Sequence, residues 1–303
     1  MTAPPVTRSG NIYDLGYRRY EGPRLGRAHA IRSLVSHSFR TTFGIGRSGR
    51  AKIAPVTFGA MALLPAVLIV GVLAIVARLG IDDDIGDIGL VGFSSYFGAI
   101  SAIIALFCAA QAPELFGRDQ RHGVLPLYFA RALRRSDYAL ARLAGFCLAL
   151  LVLLLLPMTI LFLGRVLLST DVAEGFTRNL PSVPPVLAQA LTIAGLLGGM
   201  SMAISAYTPR RAYATAGIIA LFVLPGIVSS IVIELGSGTI GNLLVLLSPS
   251  SVIDGTNGLF FGLDPESGLF FFDLPHWTFL VSAVALVVVF VILIVRRFAR
   301  IAT

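Results

Sequence analysis

The sequence predicts an all-helical, polytopic membrane protein with six spanning helices and both ends of the chain on the same side. Three observations predict it. Of the 303 residues, 56% are hydrophobic, and the mean hydropathy is +0.84. Only 13% are charged, whereas a soluble domain carries about a quarter. The apolar residues are also gathered into runs long enough to span, since a hydrocarbon core of roughly 30 Å needs about 20 helical residues.

Residues 1–26 are polar and rich in Gly, Pro and Arg, and read as an extended segment along the membrane or a partner. No apolar core of a signal peptide occurs in the first 30 residues, so a cleavable signal is not expected. Residues 27–52 form the next region, in which 27–43 reads as an amphipathic helix. Ile31, Leu34, Val35, Phe39 and Phe43 recur near the 3.6-residue period, with His29, Ser33, His37 and Arg40 opposite. A basic amphipathic helix just before a span is expected at the headgroups.

The spanning domain then covers 53–303, with spans at about 53–77, 90–112, 143–168, 184–207, 213–235 and 277–295. Pro65, Pro157 and Pro225 fall inside three of them; a membrane bundle tolerates this because neighbouring helices satisfy the freed backbone groups. Span four carries Gly195, Gly198, Gly199, Ser201, Ala203, Ser205 and Ala206, a composition for close helix packing. Span two carries Phe93, Tyr96, Phe97, Ile100, Ile104 and Phe107. Such residues ordinarily face lipid or a neighbouring helix, and an aromatic-lined pathway is the sharper alternative.

The segment between spans two and three, 113–142, is the most informative. Pro113 and Glu114 are expected to end span two, and Gly123 to break the chain. Leu125, Tyr128, Phe129 and Leu133 follow at amphipathic spacing, predicting a helix of two to three turns with Arg131, Arg134 and Arg135 on its polar side. Ser136 reads as the N-cap of the next helix, with Asp137 in its first turn. Two readings stand for this segment: a surface loop whose arginines hold the topology, or a docking element for a cytoplasmic partner. The long segment 236–276 contains no basic residue and is too apolar for a solvated loop. Its breaks at Ser248-Pro249-Ser250, Asp254-Gly255 and Asp264-Pro265 predict short re-entrant or interfacial helices.

Charge sets the orientation. Of the 24 basic residues, all but Arg78, Arg165 and Arg178 fall on the side of the two termini. That side is therefore expected to be cytoplasmic. Asp82, Asp83, Asp84, Asp87, Asp171, Glu174, Glu234, Asp254, Asp264, Glu266 and Asp273 fall on the other. The net charge of +8, with Lys52 as the sole lysine, is spread between apolar blocks, which fits anionic headgroups better than nucleic acid.

Little in the sequence suggests chemistry. Gly46 to Lys52 lacks the Gly-Lys-Ser/Thr of a phosphate-binding loop. His29, His37, His122 and His276 are scattered, and Cys108 and Cys147 lie in apolar runs at a spacing that matches no metal motif. No catalytic or metal residue is expected. The span centres are nearly free of charge, which disfavours an ion-coupled carrier. Arg165, near an outer end, is expected to snorkel to the interface, with a pair to Glu234 as the alternative.

The run Arg118-Asp119-Gln120-Arg121-His122-Gly123-Val124-Leu125, continuing through Leu127, Tyr128, Phe129, Arg135 and Ala141-Arg142, resembles a pattern in the permease subunits of ABC-2 type exporters. It departs from that pattern at Asp119 for Glu, Val124 for Thr, Ala132 for Pro and Arg142 for Lys. Six spans, internal termini, a preceding interfacial helix and an outer segment before span six agree with the resemblance. The start, from Ile12 to Arg24, is similar to the leader of an actinobacterial permease group. The resemblance implies a homo- or heterodimer of permeases working with separate cytoplasmic ATPase subunits. ATP and Mg would then be bound by the partner, with no cofactor on this chain. Residues 124–134 would be the coupling helix and 27–43 the connecting helix. Glu114, Arg118, Asp119, Arg121, Gly123, Leu125, Tyr128, Phe129, Leu133 and Arg135 would take part in coupling. Spans two and five would line the path, with Phe93, Phe97, Ile104, Phe107 and Phe222 on it. The alternatives are a non-transporting scaffold protein, a secondary carrier and a membrane enzyme.

Overall fold

The computed structural model describes residue 22 and residues 25–79, 92–130, 133–236, 238–263 and 274–300. Arg131, Ala132, the Ile12–Arg24 leader apart from Gly22, Asp82–Asp87 and the Asp264-Pro265 break lie outside them. Every regular element among the described residues is helical. The order is α1 (Gly26–Thr42), α2 (Gly49–Arg78), α3 (Phe93–Arg121), α4 (Leu125–Phe129), α5 (Arg135–Leu168), α6 (Val172–Asn179), α7 (Val183–Tyr207), α8 (Arg211–Glu234), α9 (Gly238–Leu247), α10 (Pro249–Phe261) and α11 (His276–Ala299). Six helical stretches are long and apolar enough to cross a membrane: α2, α3, α5, α6 with α7, α8 and α11. These are the six spans read from the sequence.

Burial orders them. The apolar window of α6–α7 is 67% buried and that of α2 only 11%, so α7 is central and α2 peripheral. The small residues of α7 explain its position. A Cβ on Gly198 would lie 2.9 Å from the Cys147 sulfur of α5, and one on Gly199 would lie 3.3 Å from Phe290 of α11. Close approach of backbones replaces large side chains as the source of packing here. On the far side of α5, a Cβ on Gly145 would meet Ser38 and the Val35 carbonyl of α1, both at 2.6 Å. Thus α1 is clamped along α5. Leu34, Ser38, Thr41 and Thr42 are buried, while His29, Ser33, His37 and Arg40 are exposed, in keeping with the amphipathic pattern.

Four local expectations are corrected. First, Pro113 does not end span two; α3 runs on to Arg121. Proline deprives the carbonyl four residues back of its helical donor. Here that carbonyl, Ala109, accepts a 2.9 Å bond from the Thr215 hydroxyl of α8. Second, the helix after Gly123 is five residues long, not two to three turns. Gly123 itself is at φ +63°, the left-handed conformation that glycine adopts without strain. Third, α5 starts at Arg135 and is capped at Arg134, so Arg135 is helical and Ser136 lies inside the helix rather than capping it. The Asp137 carboxylate accepts from the Arg134 amide at 3.1 Å. Fourth, Asp254-Gly255 is no break. At Gly255 the helix presses on the ring of Phe279, 2.2 Å from where a Cβ would stand.

The break at Ser248-Pro249 is observed. Ser248 caps α10, Pro249 occupies its first turn, and α9 and α10 meet at 88°. That is the geometry of a broken span or a re-entrant hairpin.

Candidate functional site

The ends of α1, α3, α5 and α11 and the short α4 meet in one junction at the arginine-rich end of the bundle. Its centre is Arg142, whose side chain is only 2% exposed. A buried guanidinium is costly unless paired and hydrogen-bonded. Arg142 is both. One terminal nitrogen pairs with the Asp119 carboxylate of α3 and donates to the Tyr128 hydroxyl of α4 at 3.2 Å. The other donates to the Ser38 hydroxyl of α1 at 3.4 Å. The Tyr138 hydroxyl, one turn before Arg142, donates to the same Asp119 oxygen at 2.7 Å. The guanidinium also lies 5.7 Å from the Tyr128 ring centre and 5.6 Å from that of Tyr138, within cation–π range.

An aromatic cluster surrounds this pair. Tyr138 contacts Tyr128 at 5.2 Å, Phe129 at 5.9 Å, Phe116 at 6.0 Å and Phe298 at 5.3 Å between ring centres. Helix α4 therefore turns Leu125, Tyr128 and Phe129 into the chain. Leu133 packs against the same core. Pro126 and Leu127 are turned outward, Leu127 being 70% exposed.

Ion pairs tie the rim. Arg27 of α1 makes bonds of 2.7 and 2.6 Å to the two oxygens of Asp137. This hydrogen bonding raises the Arg27 guanidinium above its ordinary value, so the pair stays ionised. Glu114 of α3 binds Arg47, from the turn after α1, at 2.8 Å and Arg211, at the start of α8, at 3.0 Å. Arg135 lies 5.8 Å from the Phe129 ring centre and donates to the Ala299 carbonyl at 3.1 Å. His37 on the edge of α1 is held below the ordinary imidazole value, by partial burial first and by the Arg142 charge second. It meets the junction as the neutral ring near pH 7.

The structure thus brings together Glu114, Asp119, Leu125, Tyr128, Phe129, Leu133 and Arg135. Arg118, Arg121 and Gly123 are exposed at the end of α3 and in the turn that follows. Sequence reasoning missed Ser38, Phe116, Tyr138, Arg211 and Phe298, and did not place Arg142 at the site. Only the Tyr138–Arg142 spacing of four carried a local signal. The residues of the implied pathway lie inside this single chain: Phe97, Ile104 and Phe107 are fully buried, and Phe93 and Phe222 nearly so. Phe97 packs on Phe261 of α10, and Phe107 on Phe43. Arg165, expected to snorkel, stacks 4.8 Å over the Phe93 ring. Set against protein-family models and against curated proteins, the chain matches none.

Proposed function

We propose that this chain is the membrane-spanning permease subunit of an ATP-driven, ABC-2 type exporter. It lies in the plasma membrane with both termini cytoplasmic, pairs with a second permease subunit, and is driven by separate ATPase subunits. Its cargo is hydrophobic or amphipathic. One observation carries this reading: α4 presents an exposed leucine on a helix whose inner face is fastened to α1, α3 and α5 through Tyr128, Arg142 and Asp119. A surface element passes force to spans only if it moves with them. Aromatic packing and a buried ion pair supply that stiffness, which a solvated loop lacks. The resemblance in the run 118–142 and the charge asymmetry of the loops support the same reading.

Leu127 is the residue that tests docking. Its side chain is exposed, so Leu127→Asp should leave the melting temperature of the permease unchanged. Burying a leucine at an interface contributes about 1.5–3 kcal/mol, so its loss is expected to weaken ATPase binding about tenfold or more. Co-purification with the ATPase and its stimulated hydrolysis rate are the readouts. An ATPase that stays bound and stimulated by the variant overturns the assignment of α4. Orientation has its own readout. A cysteine at Ala130, in a chain lacking Cys108 and Cys147, should react with an impermeant maleimide only after the cells are opened. Labelling in intact cells overturns the topology.

A further inference from the structure

A groove of about 210 Å³ runs between α5 and α7 in the half of the bundle away from the arginine-rich junction. Met158 and Phe162 of α5 and Val186 and Leu187 of α7 line it, with Phe93 at its inner end. Thr159 and Leu187, both exposed, form its lips, so it opens on the outer surface of the helices rather than into the core. These helices are apolar enough to span, so the groove faces hydrocarbon. Water gains nothing from entering an apolar concavity, and an empty one forfeits dispersion contacts along its walls.

The end of the groove is not apolar. Arg165 follows Phe162 by one turn and stacks over Phe93. Helix α6 is joined to α5 next to it by the Phe162–Phe176 ring contact at 5.9 Å and carries Arg178 in its last turn. These are two of the three basic residues on this side of the chain. An arginine has five N–H donors, so it can bind an added anion while keeping a protein partner. A hydrocarbon slot ending at cationic donors matches a ligand with an alkyl chain and an anionic head.

We propose that the α5–α7 groove binds an anionic phospholipid, one acyl chain lying against Met158, Phe162 and Val186 and the phosphate at Arg165. This site is independent of the ATPase and of the transport reading; it concerns the chain as a lipid-binding protein.

The test is native mass spectrometry of the full chain in detergent, titrated with phosphatidylglycerol or phosphatidylcholine. The wild type is expected to retain phosphatidylglycerol severalfold better. Val186→Trp fills the slot and should lose one tightly held lipid of either kind. Thr159→Trp, at the exposed lip, blocks the same slot without disturbing the core and should do the same. Arg165→Gln keeps the slot and should bring the two lipids to equal retention. Leu148→Trp, on the exposed surface of α5 outside the groove, should behave as the wild type. Equal retention of both lipids by the wild type overturns the proposal. So does undiminished phosphatidylglycerol binding in Thr159→Trp or Arg165→Gln.

Discussion

Asp119→Ala is expected to cost about 3–5 kcal/mol, the range for removing one partner of a buried ion pair. The cost arises chiefly from what stays behind. Arg142 remains buried, with the Ser38 and Tyr128 hydroxyls as neutral partners, and the Tyr138 hydroxyl loses its acceptor. A thermal melt of the detergent-solubilised chain reads the loss. Hydrogen exchange at the amides of 124–130 should rise with it, because Tyr128 is tied to α5 through Arg142. The double variant Asp119→Ala/Arg142→Leu should melt well above Asp119→Ala. It removes the stranded charge and leaves an apolar side chain amid aromatic rings. A single variant that melts like the wild type would mean that packing alone holds α4. On the proposed permease reading, Asp119→Ala should also uncouple the complex, with ATPase binding retained and cargo movement lost.

Gly145→Val should strip α1 from the bundle. The added carbon must occupy space held by Ser38 and by a backbone carbonyl, each 2.6 Å from its ideal position. A carbonyl in a helix cannot rotate away, so α1 must retreat as a unit. Overpacking of this kind costs about 1–3 kcal/mol, and the helix propensity gained over glycine returns only about 0.4 kcal/mol of it. Retreat of α1 also pulls Ser38 from Arg142 and Arg27 from Asp137. Amide exchange along α1 should therefore accelerate more than exchange in α7. Gly71→Val on α2, where nothing lies within 4 Å of the added carbon, is the comparison and should leave stability unchanged or slightly raised. Equal melting of the two variants would show that α1 is not clamped at Gly145.

Much of the architecture is legible in one dimension. The six spans follow from run length, and α1, read as 27–43, is observed at Gly26–Thr42. The stop at Ser248-Pro249 is local chemistry, a capping hydroxyl followed by a residue suited to the first turn, and so is Asp137 at the start of α5. The errors share one cause. Pro113 reads as a terminus because its own neighbourhood cannot supply the missing donor; the donor to the Ala109 carbonyl comes from Thr215, 106 residues beyond Ala109. Asp254-Gly255 reads as a turn because nothing nearby discloses Phe279. The amphipathic spacing of Leu125, Tyr128 and Phe129 reports that a helix has two sides, not which side finds the core.

The junction shows the division most clearly. Sequence by itself determined which stretches enter hydrocarbon, where the arginines collect and where the chain must turn. These depend on hydropathy, charge and φ preference, which act over a few residues. Only the tertiary structure decided that Arg142 is a buried hub. The pairing of Asp119 with Arg142 joins positions 23 apart, and that of Arg27 with Asp137 joins positions 110 apart. Neither follows from any local preference. The first exists because α3 and α5 are packed closely enough to exclude water, and there a charge must find a partner or bear its full desolvation cost; the second sits at the half-exposed rim and exists because α1 lies along α5.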